Sequence, residues 1–133
     1  MAYITFKPKD YFNTKLHTGT GSAASITGVG FQPDFVWVKQ RNGTENHVLE
    51  DSVRGATKLI QSDSSAAEQT GSQTLTSFDS DGFSVGTDAG WNGSSNSYVM
   101  WNWRAGTTSG ITTNSDTSIT PSAYSFNQTS GFS

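Results

Sequence analysis

The chain has 133 residues, with 8 basic against 11 acidic side chains and a net charge near −3. That length fits one domain of ordinary size. No apolar run approaches the roughly 18 residues of a membrane span, no Lys/Arg cluster offers the charge that nucleic-acid binding requires, and the lack of Cys excludes disulfides, thiolate catalysis and Cys-ligated zinc. Neither a membrane nor a nucleic acid is an expected partner, and the first residues carry no basic segment with an apolar core of the secretory kind. Leu, Ile, Val and Phe together number only 24, while Ser and Thr number 38 and Gly 14. A small net charge and four Trp separate this composition from that of a disordered chain. Polar without being charged, it suits short strands, many turns and a hydroxyl-rich surface, and it predicts an all-β fold.

Period-two alternation, the mark of strands, runs through the sequence. Residues 3–7 alternate and stop at Pro8. A weaker strand is expected over 12–18, ending in Gly19-Thr20-Gly21, and a short one over 22–27 before Gly28-Val29-Gly30. The clearest strand covers 34–40, opened by Pro33, whose missing N–H suits a strand's first position. Asn42-Gly43 then forms a tight turn, and strands return over 46–50 and 57–61. Residues 62–72 read as a loop with room for one helical turn near Ala66-Ala67-Glu68. A hairpin is expected from 73–78 and 82–87 around Asp79-Ser80-Asp81-Gly82, followed by a Gly/Asn/Ser loop over 88–96 that carries Trp91. The last strong strand covers 97–105. Eight or nine short strands at near-regular spacing favour a two-sheet antiparallel sandwich of jelly-roll or concanavalin-like type over a closed barrel.

After Gly106 the composition shifts to Thr, Ser, Asn and Gly, which divides the chain into a sandwich module (1–106) and an extended Thr/Ser-rich segment (107–133). Its end, Ser125-Phe126-Asn127-Gln128-Thr129-Ser130-Gly131-Phe132-Ser133, echoes Ser77-Phe78-Asp79-Ser80-Asp81-Gly82-Phe83-Ser84 with one insertion. The echo predicts the start of a further strand or of a second repeat in a longer tandem array, or else a strand that pairs with a neighbouring subunit.

Four motifs carry a resemblance. They are Gly30-Phe31-Gln32-Pro33-Asp34-Phe35-Val36-Trp37-Val38-Lys39, then Leu49-Glu50-Asp51-Ser52-Val53-Arg54-Gly55-Ala56-Thr57-Lys58, then Leu75-Thr76-Ser77-Phe78-Asp79-Ser80-Asp81-Gly82-Phe83-Ser84-Val85-Gly86, and finally Asn96-Ser97-Tyr98-Val99-Met100-Trp101-Asn102-Trp103-Arg104-Ala105-Gly106. In this order and spacing, over residues 10–106, the chain resembles a repeat domain of virion proteins from tailed bacteriophages, especially phages of cyanobacteria. The resemblance implies a lectin-like β-sandwich without accepted catalytic residues, and a place in the phage particle rather than a chemistry.

Glu45, Glu50, Asp51 and Glu68 are the acids that could serve a glycosidase, but Asp51 beside Arg54 reads as an ion pair that fixes the turn before Gly55. His17 and His47 show no ligand or relay spacing. Asp79, Asp81 and Asp88 cluster near one hairpin, yet the EF-hand pattern is not met and turn formation explains them; neither metal nor cofactor is expected. Trp37, Trp101 and Trp103 are expected in the core, although a sugar-stacking platform is the functional alternative. Trp91, standing in a loop with Asn92 and Asn96, is the expected ligand contact. The expectation is therefore a non-enzymatic virion module, in a tail fibre or decorating a capsid, which assembles with copies of itself and other virion proteins. The alternative is a receptor-binding, lectin-like domain for host surface glycans.

Overall fold

The computed structural model describes residues 7–111 and 120–133. The strand expected over 3–7 and part of the Thr/Ser-rich segment lie outside them. After a 3₁₀ turn at Pro8–Asp10 come β1 (Phe12–Thr18), β2 (Ala24–Ile26), β3 (Phe35–Gln40), β4 (Val48–Asp51), β5 (Lys58–Gln61), β6 (Gln69–Thr70), β7 (Leu75–Asp79), β8 (Gly82–Val85), a one-turn helix α1 (Ala89–Asn92) and β9 (Ser97–Trp103). All strand pairings are antiparallel. Six strands form one sheet in the order β1-β9-β3-β4-β5-β6, and three form a second in the order β2-β8-β7. The fold is the expected all-β sandwich. The helical turn expected near Ala66 is absent, and the two-residue β6 lies just beyond it.

Strand alternation fixes the layers. Val36, Val38, Val48, Leu59, Tyr98 and Met100 point from the large sheet into the core, where Ile26, Leu75, Phe83 and Val85 of the small sheet meet them. Gly82 closes the β7–β8 hairpin at φ 147°, with the Ile26 carbonyl oxygen only 1.9 Å from where a Cβ would stand, so no side chain fits there. The solvent face of the small sheet is a hydroxyl ladder: Ser77 and Ser84 donate to the two oxygens of Asp79 at 2.9 and 2.7 Å.

Two expectations about tryptophan are exchanged. Residues 88–96 are not a plain loop, because Asp88 caps α1 by accepting from the Gly90 N–H at 2.8 Å, and the turn carries Trp91 into the core. Trp91 is fully buried, edge-on to Phe83 at 6.0 Å. Trp37, Trp101 and Trp103, expected in the core, are only half-buried and lie on the outer face of the six-stranded sheet. Both faces of β3 and β9 are apolar, so parity grouped the rings correctly without saying which group points inward.

Asn92 clamps α1 in place. Its Oδ1 accepts from the Thr20 N–H at 2.8 Å and lies 2.9 Å from His17 Nε2, while its Nδ2 donates to the Ser22 and Gly86 carbonyls at 2.6 and 2.9 Å. The Tyr98 hydroxyl donates to the Ala89 carbonyl and accepts from the Gly93 N–H. Gly19 packs so closely on this turn that a Cβ there would meet the Gly93 oxygen at 2.1 Å.

The chain after β9 folds back onto its own module. Thr107 bridges Phe126, Asn127 bridges Phe132, and the Gly106 N–H donates to Ser125 Oγ at 2.8 Å. The echo of the β7–β8 hairpin thus forms a small turn of its own, whose Phe132 rests on the outer aromatic face. Because Trp91 fills the interlayer space and Trp101 does not, Trp91→Ala should lower unfolding free energy by about 3–5 kcal/mol, the usual range for a buried large ring. Trp101→Ala should cost clearly less, and urea titration followed by circular dichroism checks both.

Candidate functional site

The outer face of the six-stranded sheet collects the side chains that the core leaves out. From β1 come Phe12, Thr14 and Leu16, from β9 Val99, Trp101 and Trp103, from β3 Phe35, Trp37 and Lys39, from β4 Leu49, and from β5 Ile60. Trp37 and Trp101 stand directly opposite each other in register, ring centres 5.7 Å apart and inclined at 63°. The Trp37 indole N–H donates to His47 Nδ1 at 2.9 Å, which requires that nitrogen to be unprotonated and holds both rings. Trp103 sits between Phe12 and Phe35 at 4.9 and 5.2 Å, and Phe132 stacks over it at 5.9 Å.

The face therefore has two halves. The half around Trp103 is roofed by the C-terminal turn, with a cleft of about 600 Å³ between Phe35, Val53, Tyr124 and Phe132, bordered by Asp34 and Asp51. The other half, from Leu16 through Val99, Trp101 and Trp37 to Leu49 and Ile60, has no such roof among the described residues. Leu16 is 66% exposed and Ile60 40%. The charged group on this half is Lys39, whose ammonium is drawn to the Gly43 and Glu45 carbonyls at 3.2 and 2.7 Å.

Trp91 and Asn92, expected to contact a ligand, are both fully buried and offer no surface. A ring enclosed on both faces cannot stack on a sugar, so the expectation for Trp91 is corrected. Asn96 is half-buried in the turn after α1, where its carbonyl accepts from the Gly19 N–H at 2.8 Å. Asp51 and Arg54 form the ion pair read from the sequence, at 2.5 Å. Asp51 also accepts from the Val53 and Arg54 N–H groups, and Arg54 reaches Glu68 at 3.3 Å.

The acids do not converge. Neighbouring residues on a strand point to opposite faces, so Glu50 and Asp51 cannot flank one bond. Asp79 takes the hydroxyls of the small sheet, Asp88 caps α1, and Asp81 accepts from the Gly30 and Gly28 N–H groups, which hold its carboxyl below the usual carboxylate range. Among the described residues no three His, Asp or Glu side chains gather around one point.

Glu50 is the carboxyl group among the buried side chains described, which also include Asn92 and Asn102. Fully enclosed, it meets the Leu75 N–H with Oε1 at 3.4 Å, and its Oε2 has no partner. Burial pushes its pKa up to about 7, against smaller opposing contributions from Thr74, the Leu75 and Thr57 backbone and Arg54. The folded state therefore favours the protonated acid. Its contribution to stability is complete below about pH 4.5, is lost as pH rises towards 7, and then levels off. Glu50→Gln should flatten that decline by about 3 kcal/mol between roughly pH 5 and pH 8, as read from unfolding midpoints across pH.

The outer face could have been found from Lys39. It shares the parity of Phe35 and Trp37, and a lysine ammonium does not enter an unpaired core. Likewise Asp88, an N-cap residue three positions before Trp91, marks a helix start inside what looked like a loop. No curated protein matches the chain, and no solved structure does. Residues 7–133 match the family described as "Domain of unknown function (DUF7483)", and the chain belongs to that family.

Proposed function

We propose that the chain is a non-enzymatic module of a bacteriophage particle, acting by protein–protein assembly in a tail fibre or on a capsid surface. The four motifs, on β3, the turn after Glu50, the β7–β8 hairpin and β9, support the setting by their resemblance to virion repeats. The mode of action rests on one observation: the unroofed half of the outer face, where Trp37 and Trp101 are flanked by Leu16, Val99, Leu49 and Ile60. Half-exposed indoles bordered by aliphatic groups are the composition of an interface centre. The scattering of the acids, with Asp51, Asp79 and Asp88 engaged in local structure, supports a role without bond cleavage.

Recognition of host surface glycans is the second reading, and what favours it is the same indole pair. It moves the sugar contact from Trp91 to Trp37 and Trp101. A pyranose ring would stack on an exposed indole face, whereas a protein partner would cover the aliphatic flanks as well.

Trp101→Ala and Trp37→Ala, which leave the core untouched, should each weaken incorporation into particles about thirtyfold, the cost of losing one interface anchor. The measurement is peptide mass spectrometry of purified particles carrying each variant. Normal incorporation with lost adsorption to host cells would favour the glycan reading. Release of reducing ends from host polysaccharide, abolished by Glu50→Gln or Asp51→Asn, would overturn the non-enzymatic one.

A further inference from the structure

We propose that β1 is a docking strand for a second copy of this chain, the two β1 edges pairing antiparallel about a two-fold axis at Leu16. The two six-stranded sheets then become one continuous sheet. This deepens the assembly reading above and rests on it for its setting.

A sheet edge exposes a row of N–H and C=O groups that invites another strand, and folds ordinarily blunt such edges. Among the described residues the two sheets have four edges: β1 and β6, β2 and β7. Three are blunted, since β6 has two residues, β2 has three, and the β7 register breaks between Leu75 and Ser77. β1 is different. It runs seven residues without proline, in unbroken register with β9 from Phe12–Trp103 to Thr18–Ser97.

The ladder shows which groups stay open. Arg104 N–H donates to the Tyr11 carbonyl, and Gly19 N–H to that of Asn96, so the odd-numbered residues bond to β9. The N–H and C=O groups of Phe12, Thr14, Leu16 and Thr18 therefore point away from the sheet. The Thr14 N–H meets its own neighbour, Asn13 Oδ1, at 2.9 Å. The usual repelling charge is also missing from the rim. Lys15 turns to the inner side, where its ammonium lies 3.4 Å from the Gly28 carbonyl.

A second copy is the partner that fits. The outward row of Phe, Thr, Leu and Thr carries no charge and is compatible with its own reverse. With Leu16 opposite Leu16, Thr14 falls opposite Thr18, a favourable cross-strand pairing. The most exposed large apolar side chain of the described residues, Leu16 at 66%, then meets its equal. The stripe Leu16–Val99–Trp101–Trp37 continues across the axis into the other copy, an isologous and closed arrangement.

The test uses the chain itself, whose lack of Cys gives single-cysteine variants no background. Wild type should sediment as a dimer at tens of micromolar, and Leu16→Lys should weaken association by at least about tenfold. Leu16→Cys should form a covalent dimer on mild oxidation, because directly opposed residues stand about 5.5 Å apart in such a pair, whereas Thr87→Cys, exposed on the far loop, should not. Unchanged unfolding midpoints show that the variants fold. A wild type that stays monomeric up to about 1 mM, a Leu16→Lys dimer as tight as wild type, or equal cross-linking at both cysteines overturns the proposal, as does a monomer that pairs β1 with another protein's strand. A monomeric wild type whose incorporation nevertheless falls in Trp101→Ala would remove this proposal and leave the assembly reading standing. Normal incorporation of Trp101→Ala and Trp37→Ala, with a wild-type dimer that Leu16→Lys weakens, would do the reverse.

Discussion

Trp91 reaches the space between the two sheets from the side, on a single helical turn, rather than from a strand of either sheet. Everything nearby holds that turn in place. Asp88 caps it, Asn92 ties it to the Thr20–Ser22 loop, to Gly86 and to His17, and Tyr98 binds both of its ends. A close-packed interior leaves no slack for a ring that is merely nearby. With this plug seated, the strands can fill the remaining interlayer space with valine, leucine and methionine.

The large indoles of β3 and β9 are then free to face outward. Their face is neither a second core nor an ordinary wet surface. One half is closed by the chain's own Phe132, and the other presents Trp37 and Trp101 between aliphatic neighbours. The same strands thus do two tasks, stability on one side and contact on the other. The inner side also carries a burden, because Glu50 lies enclosed there with one oxygen unsatisfied. Such a group is costly to bury, and its raised pKa is the form that cost takes.

The strand pattern was legible because alternation is a local property. β1, β3, β5, β7 and β8 fall within a few residues of where the sequence places them, as do the Asp-Gly turn and the Asp51–Arg54 pair. What alternation could not supply was the direction of each face. Val36 and Val38 on one side of β3, and Phe35 and Trp37 on the other, are both apolar enough for a core, and only their packing partners decide between them. Trp91 was misplaced for a related reason. A helix of one turn has no periodicity to detect, and a tryptophan among Asn, Gly and Ser looks solvent-exposed until the surrounding strands are assembled. The fold-back of residues 120–133 was hidden because the contact joining Phe132 to Trp103 depends on the finished sheet.

The strand order bears on how the molecule comes to exist. β9, the last of the described strands in the chain, lies between β1 and β3 in the large sheet. Until a ribosome has made it, β3 can pair only with β4, and β1 waits through some ninety residues of synthesis for β9, as Phe12 does for Trp103. Closure is an insertion between waiting strands, which is slow because loop entropy is lost before the contacts form. The large sheet therefore closes only after Trp103 has emerged, and a cell producing it must keep an open, aromatic-rich half-sheet from finding the wrong partner in the meantime.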